Sequence, residues 1–225
     1  MKAKFMLLTI LFLAISVFGY ANTQSKPSKN YSDILKMELQ PLEQANSIFS
    51  KKEKYVILGL INIGVNVALR YSDLSELKFE DITYENTIKL FEEKTNKKKE
   101  VKLNKFCVEE IKKLKEYYHN LKIKNWNKGY IFKSLSRNIL SKNIDRNLTI
   151  QSFNRYLKEA QRELKISYNI GSHSLRKTWG KFYYEKYKDI ATVMKILNHS
   201  SIESTLRYIG IDRKRLHKIY EDFII

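Results

Sequence analysis

Two stretches near the C-terminal end of the sequence carry side chains that could react with a phosphodiester. HSLRKTW places His173 three residues before Arg176, on one face if the segment is helical. LNHSSIESTLRYIG places His199 nine residues before Tyr208, with a short polar break between them. Histidines donate hydrogen bonds and transfer protons near neutral pH, and a tyrosine can attack phosphorus and hold a covalent intermediate.

Two earlier stretches add an arginine and a group of lysines. ALRYSDLSEL places Arg70 three residues before Asp73, and an acid so placed can hold a guanidinium in one orientation. In EEKTNKKKEV, Lys94 leads a basic turn. Two arginines can clamp the non-bridging oxygens of a phosphodiester, and a lysine on a hairpin can protonate a leaving oxygen. The four stretches together therefore predict phosphoryl-transfer chemistry.

Each stretch also has an ordinary structural interpretation. An arginine at the end of a buried helix is usually a solvated or paired charge, and a lysine-rich turn usually protects a sheet edge. A tyrosine on an amphipathic helix is usually half-buried packing, and His-x-x-Arg pairs often arise by chance. The chemical interpretation therefore rests on the combination of the four stretches.

Composition favours a globular chain that binds a polyanion. The 225 residues are 43% hydrophobic and carry a formal net charge of +18, so nucleic acid is the first candidate partner. A genome rich in A and T would also produce a Lys-, Asn- and Ile-rich protein, and that alternative stays open. The single cysteine, Cys107, rules out an intrachain disulfide and a thiolate metal cluster. We expect no metal and no cofactor.

The first residues differ in character from the rest. Two lysines precede an apolar run of residues 5–20, and small residues follow, as in a secretory signal peptide. The run is short for a membrane span of about 20 residues. Residues 1–21 are therefore interpreted as a leader, either a signal, an anchor or an in-frame extension from a misplaced start. Residues 22–36 are interpreted as a linker.

The remaining chain reads as mostly helical. Residues 53–70 are apolar nearly all round, which predicts a buried central helix, and Ser72 is a plausible N-cap for the next one. Short β-favouring runs in 81–104 predict a small antiparallel sheet with a basic turn at 94–99. Apolar spacing and capping residues predict the other helices: 40–50, 72–77, 105–121, 149–164, 173–187, 189–197, one from Ser200 or Ser201 and a last one from Asp212.

In this order, the four stretches resemble the catalytic domain of the tyrosine recombinases, also called the phage integrase family. ALRYSDLSELKFEDI is similar to the first-arginine box, with Ala68 where glycine is commoner, and KTNKKKEVKL is similar to the lysine-bearing hairpin. HSLRKTW is similar to the His-x-x-Arg box. LNHSSIESTLRYIG is similar to the final box, with Asn198 in place of the common glycine. The interval of 26 residues from His173 to His199 is also typical, and the resemblance covers roughly 40–225.

The resemblance implies an α+β fold that is mainly α, a helical bundle with a small three-stranded antiparallel sheet. It implies a catalytic domain over 37–225, without the N-terminal core-binding domain that most members carry. The expected partner is double-stranded DNA, bound by a homo-oligomer that is a tetramer on DNA. The expected location is the cytoplasm (nucleoid), and membrane anchoring through residues 5–20 is left open.

The resemblance also implies roles for the site residues. Tyr208 would attack the phosphate to give a 3′-phosphotyrosyl link and a free 5′-hydroxyl, and Lys94 would protonate the leaving 5′ oxygen. The two arginines and His199 would stabilise the transition state, and His173 would assist proton transfer at the tyrosine. The full catalytic set is Arg70, Lys94, His173, Arg176, His199 and Tyr208.

Two assignments within this set have neighbours that compete for the role. Lys94 is preferred by register, while Lys97, Lys98 and Lys99 are assigned, with Lys177, to DNA binding. Other tyrosines are poorer nucleophiles, because they lie on the His-x-x-Arg helix or in the tail: Tyr183, Tyr184, Tyr187 and Tyr220.

The sequence thus predicts a site-specific DNA recombinase or integrase, acting without metal or ATP. The main alternative is a catalytically impaired, truncated remnant of a mobile element that only binds DNA. A secreted basic protein, and a type IB topoisomerase or telomere resolvase with the same chemistry, are further alternatives. The tail from residue 211 packs either on a neighbouring protomer or on its own core.

Overall fold

The computed structural model describes residues 51–163 and 167–211, together with Glu221. The predictions for the leader, the linker, the first helix and the last helix lie outside these residues. Within the described ranges, no helix combines the length and the apolar character that a membrane crossing requires. The membrane contact expected through residues 5–20 therefore remains a prediction.

Helices dominate the described part of the chain, as predicted, and one small antiparallel hairpin interrupts them. The elements in chain order are α1 (Lys51–Val67), α2 (Tyr71–Ser75), a 3-10 turn (Phe79–Asp81), β1 (Thr87–Phe91), β2 (Lys98–Lys102), α3 (Lys105–Asn120), α4 (Arg137–Ser141), α5 (Ile150–Glu163), α6 (Ser172–Tyr187), α7 (Ile190–Ile196) and α8 (Ile202–Ile209).

The central helix is α1, in agreement with its apolar sequence. Ile57, Leu60 and Ile61 have no exposed surface, and α1 packs against both α3 and α6. Gly64 permits the approach of α6, because a Cβ atom at this position would lie 2.7 Å from Leu175. The main core thus holds α6, the helix of the His-x-x-Arg stretch, against α1.

The sheet has two strands in the described residues, not the three that were expected. Strands β1 and β2 pair in antiparallel register from Thr87–Lys102 to Phe91–Lys98, and the turn lies slightly earlier than predicted. The segment before β1 forms only an isolated bridge, between Ile82 and Ile88. It is too short to form a third strand because the chain reverses at Asn86, whose φ is +58°.

A second, smaller hydrophobic cluster joins the C-terminal helices. It contains Val193 and Leu197 from the α7 region and Ile209 from α8. Gly180 of α6 lies directly beneath α8, because a Cβ atom there would be 2.9 Å from Ile209. This close contact fixes the position of the helix that carries Tyr208 on the helix that carries Arg176.

Two of the predicted helix caps are present and one is wrong. The Asp189 side chain accepts a backbone hydrogen bond at 3.0 Å at the start of α7, and Ser201 does the same at 3.1 Å at the start of α8. Ser72 is not the N-cap of α2, because that helix already begins at Tyr71 and Arg70 occupies the cap position. The Arg70 side chain makes no capping hydrogen bond to α2, so it is available to the site.

Candidate active site

Arg176 is the most deeply buried of the predicted site residues, with 2% of its surface exposed. Its Nη1 donates to the carbonyl oxygen of Ala68 at 2.6 Å, and its Nη2 donates to the carbonyl oxygen of Leu197. Ala68 follows α1 in a left-handed conformation, with φ +54°. The main chain at the ends of α1 and α7 therefore orients this guanidinium.

Arg70 lies beside Arg176 but is held by side chains. Its Nη1 is 2.9 Å from Glu92 Oε1 and 4.0 Å from Asp73 Oδ2, so Glu92 is the closer partner. The other oxygen of Asp73, Oδ1, accepts the backbone N–H of Glu93 at 2.9 Å. The acid expected to orient Arg70 thus contacts the hairpin more closely than it contacts the arginine.

Glu92 belongs to the same cluster, although its sequence position did not single it out. It is 1% exposed, and its Oε1 lies 2.9 Å from Arg70 and 3.4 Å from Lys99. Its Oε2 accepts from Thr95 Oγ1 at 2.8 Å and from Asn198 Nδ2 at 2.9 Å. Burial raises the pKa of Glu92, but these hydrogen bonds and charges outweigh burial and lower it to about 2. Its signal in the sequence is weak, because it is one of three acids in the hairpin, with Glu93 and Glu100.

Lys99 points into the site from β2. Its Nζ donates to the carbonyl oxygen of Ile196 at 2.9 Å and lies 3.4 Å from Glu92. Burial, together with the charge of Arg176, lowers the pKa of Lys99 despite the opposing effect of Glu92. This lysine therefore links the hairpin to the C-terminal end of α7.

The other hairpin lysines are exposed. Lys94 lies in the turn itself, and Lys98 pairs with Glu100 at 3.3 Å. Lys97 Nζ lies 3.4 Å from Asn198 Oδ1, in the loop before His199. The turn is thus placed next to the His199 loop, with Lys94 at its surface.

His199 has a defined orientation, set by Thr205. The Thr205 hydroxyl donates to the carbonyl oxygen of Ser201 at 2.8 Å, and His199 Nδ1 lies 3.1 Å from the same hydroxyl oxygen. Because the single hydroxyl proton is already used, we assign the Nδ1 proton to His199 as the donor. Burial, with the charges of Arg176 and Arg70, lowers the pKa of His199. The imidazole is therefore neutral at pH 7, with Nε2 left for substrate.

Tyr208 lies against these groups from α8. Its ring centre is 5.0 Å from that of His199, edge to face, and Lys177 Nζ is 5.2 Å above the ring. Burial raises the pKa of Tyr208, while the charges of Arg176 and Arg70 and a hydrogen bond from Arg176 act against it. The phenol is neutral at pH 7, and cationic groups surround the position where its oxygen would become negative.

The structure thus brings four of the six predicted catalytic residues into one cluster: Arg70, Arg176, His199 and Tyr208. The other two, His173 on the first turn of α6 and Lys94 in the hairpin turn, are exposed. Tyr183 and Tyr187 pack on each other at 4.7 Å along α6, and Tyr220 lies outside the described residues. Residues 51–163 and 167–211 contain no group of three or more His, Cys, Asp or Glu side chains arranged to hold a metal ion.

The cluster is positively charged and partly buried, which suits a phosphodiester. Two guanidiniums can contact the non-bridging oxygens, and their fixed orientation removes the cost of reorganisation when negative charge develops. A tyrosine directly beside them is placed to attack the same phosphorus.

Sequence comparisons identify the family of the chain. Residues 35–215 match the phage integrase family. The chain is 37% identical over 185 residues to the probable integrase/recombinase YoeC of Bacillus subtilis, covering 82% of this chain and 93% of that protein. It is 25% identical to a probable integrase/recombinase of Acholeplasma phage L2, covering 86% of this chain but only 61% of the relative.

The fold is also shared with solved structures. The XerH site-specific recombinase, in a post-cleavage complex with its difH substrate, matches with a TM-score of 0.64 and 22% identity. This likeness covers 89% of the present chain and 54% of XerH, and it shows the fold alone. The family match and the close relative establish the rest: the chain belongs to the phage integrase family, and its class is that of the site-specific tyrosine recombinases.

Proposed function

We propose that this chain cuts and rejoins double-stranded DNA at a specific site through a covalent 3′-phosphotyrosyl intermediate on Tyr208, without metal or ATP. The catalytic domain spans 37–225. The observation that carries the proposal is the convergence of Arg70, Arg176 and His199 on Tyr208, whose ring lies 5.0 Å from that of His199 and whose hydroxyl is acted on by both guanidinium charges.

The cleavage step transfers the phosphoryl group between two oxygens. The Tyr208 oxygen forms a bond to phosphorus, and the bond from phosphorus to the 5′ oxygen breaks. Arg70 and Arg176 stabilise the charge on the non-bridging oxygens, which is largest in the transition state. Because one phosphoester replaces another, attack by a 5′-hydroxyl reverses the step and rejoins the strand with no external energy source.

Two protons move during this step. Tyr208 loses its proton, and His173, on the exposed first turn of α6, assists this transfer. Lys94 gives a proton to the leaving 5′ oxygen from the turn of the hairpin. His199 presents Nε2 to the phosphate site, since Nδ1 faces Thr205, and it donates to a non-bridging oxygen once the bound phosphate anion draws a proton onto the ring.

The DNA surface extends beyond the scissile phosphate. Lys97 and Lys98 on the hairpin and Lys177 on α6 contact backbone phosphates, and the assembly that exchanges strands is a tetramer on DNA in the cytoplasm. With a net charge of +18, non-specific DNA affinity falls steeply with salt. A second candidate function, a remnant that binds DNA without cutting it, shares this salt dependence and differs only in chemistry.

The test is a search for the covalent intermediate. The full chain is mixed with nicked fragments of the source genome, denatured, and examined for a protein–DNA adduct that is mapped by mass spectrometry. We expect an adduct on Tyr208 that is absent from Tyr208→Phe. DNA binding with no adduct would favour the remnant, and an adduct on another tyrosine would overturn the assignment of the nucleophile.

A further inference from the structure

Glu92 connects three segments that the sequence motifs treat separately. Through Oε1 it contacts Arg70 at 2.9 Å and Lys99 at 3.4 Å, and through Oε2 it accepts from Asn198 at 2.9 Å. Arg70 precedes α2, Lys99 lies on β2, and Asn198 directly precedes His199. One buried carboxylate therefore joins the first-arginine segment, the hairpin and the final box.

The turn that carries Lys94 is anchored on both sides of this lysine. On one side, the backbone N–H of Glu93 donates to Asp73 Oδ1 at 2.9 Å. On the other side, Thr95 Oγ1 donates to Glu92 Oε2 at 2.8 Å. Lys94 itself is exposed. The direction in which its side chain extends is thus decided by how the turn is held, and not by packing around the lysine.

Glu92 also provides the negative charge closest to a group of cations. Arg70 and Lys99 pair with it directly, and Arg176 lies near enough for its charge to act on Lys99. Without a carboxylate here, the cations of the hairpin and of the arginine pocket would repel each other. The hairpin would then be pushed away from the pocket.

We propose that Glu92 is a positioning residue, which holds the hairpin turn against Arg70 and Asn198 so that Lys94 reaches the leaving 5′ oxygen. The inference rests on the proposed function and adds to it a residue to which the sequence motifs assigned no role. A role in positioning the acid differs from a purely structural role in one respect. If Glu92 positions the acid, its substitution slows only the step in which the leaving oxygen takes its proton.

The test uses DNA substrates that contain the sequence found in the Tyr208 adduct, and it compares two leaving groups. One substrate has the normal 5′ oxygen, and the other has sulfur in its place. A thiolate leaves without being protonated, because its pKa is several units below that of an alcohol. Single-turnover adduct formation is measured for both substrates, with Lys94→Ala as the reference for loss of the acid.

We expect Glu92→Gln to slow cleavage of the 5′-oxygen substrate about 10²-fold, as for a misplaced catalytic group. On the 5′-sulfur substrate its rate should return close to that of the unsubstituted chain, as for Lys94→Ala. Asn198→Gly removes one Glu92 contact while tolerating the φ of +49°, and should show the same selective loss more weakly. Glu93→Gln is the matched control, since the Glu93 side chain is exposed.

Each other result has a defined meaning. Equal slowing of Glu92→Gln on both substrates would show that Glu92 acts through Arg70 or through stability, and would overturn the inference. So would unchanged cleavage of the oxygen substrate, or a Lys94→Ala defect that sulfur does not restore. If the unsubstituted chain forms no Tyr208 adduct with either substrate, the proposed function itself fails.

Discussion

The arginine pocket and the hairpin turn place their functional groups by different means. In the pocket, Arg176 is buried and bound to two main-chain carbonyls, those of Ala68 and Leu197. In the turn, Lys94 is exposed, and the chain on either side of it is held by the carboxylates of Asp73 and Glu92. The first arrangement depends on the fold of the backbone, and the second depends on charged side chains.

This difference determines which changes in pH or sequence can disturb the orientation of each group. A main-chain carbonyl has no titratable state and is unaffected by substitution of its own side chain, so the orientation of Arg176 persists as long as the helices stay packed. A carboxylate can be protonated or replaced. The geometry of the hairpin should therefore respond to pH and to single substitutions that leave the rest of the fold intact.

The largest effect should follow loss of the hairpin acid. Lys94→Ala is expected to lower the rate of single-turnover cleavage about 10²- to 10⁴-fold, the usual range for a general acid. The melting temperature should not change, because Lys94 is exposed. Lys89→Ala, an exposed lysine on the same hairpin with no assigned role, is the control. A larger loss in Lys98→Ala than in Lys94→Ala would show that the register of the hairpin is misassigned.

A slightly smaller effect is expected in the pocket. Arg176→Lys keeps the charge but cannot donate to both carbonyls and to the phosphate, so cleavage should fall about 10²- to 10³-fold. The unfolding free energy should also fall by about 1–3 kcal/mol, because a buried carbonyl loses its donor. Denaturant unfolding measures this second loss. Unchanged stability would contradict the main-chain anchoring of Arg176 and remove the contrast with Lys94.

The hairpin should also respond to acid. The pKa of Glu92 is lowered from 4.5 to about 2 in the folded chain, so its ionised form contributes stability above pH 4.5. This contribution is lost as the pH falls from 4.5 towards 2. The difference in unfolding free energy between the unsubstituted chain and Glu92→Gln should therefore shrink over that interval. A difference that stays constant with pH would mean that the carboxylate charge is not what holds the turn.

The smallest expected effect is a difference in unfolding free energy between substitutions at two residues that share a backbone conformation. Ala68 and Asn198 both have positive φ, at +54° and +49°, where the family more often has glycine. Ala68→Gly should raise the unfolding free energy by about 1 kcal/mol or less, since strain is relieved while the unfolded chain gains entropy. Asn198→Gly should lower it, because the bond to Glu92 is lost. Equal shifts in the two variants would argue against a role for the asparagine side chain.

Local sequence signals predicted most of the elements. The all-apolar run became α1, the β-favouring runs became β1 and β2, and Asp189 and Ser201 cap their helices as expected. The local prediction of a cap at Ser72 was wrong, and so was the third strand implied by the resemblance, which is absent from the described residues. Both depend on where the backbone turns at its ends, and propensity determines such boundaries poorly.

Only the site residues that belong to the family motifs could be predicted from the sequence. Arg70, Arg176, His199 and Tyr208 could be named because their types and order carry the resemblance. Glu92 could not, because its partners lie up to 106 residues away and only the folded chain brings them together. The pairing of Arg70 with Asp73 illustrates the same limit, since helical spacing placed them close but could not reveal a nearer acid from the hairpin.

The two carbonyl bonds of Arg176 also bear on the synthesis of the chain. They span 108 residues back to Ala68 and 21 residues forward to Leu197. The guanidinium is therefore oriented only after nearly the whole domain has left the ribosome and folded. A nascent or partly unfolded chain lacks an oriented Arg176, even when it already contains the nucleophile. The long-range clamp thus makes the oriented guanidinium a property of the completed fold.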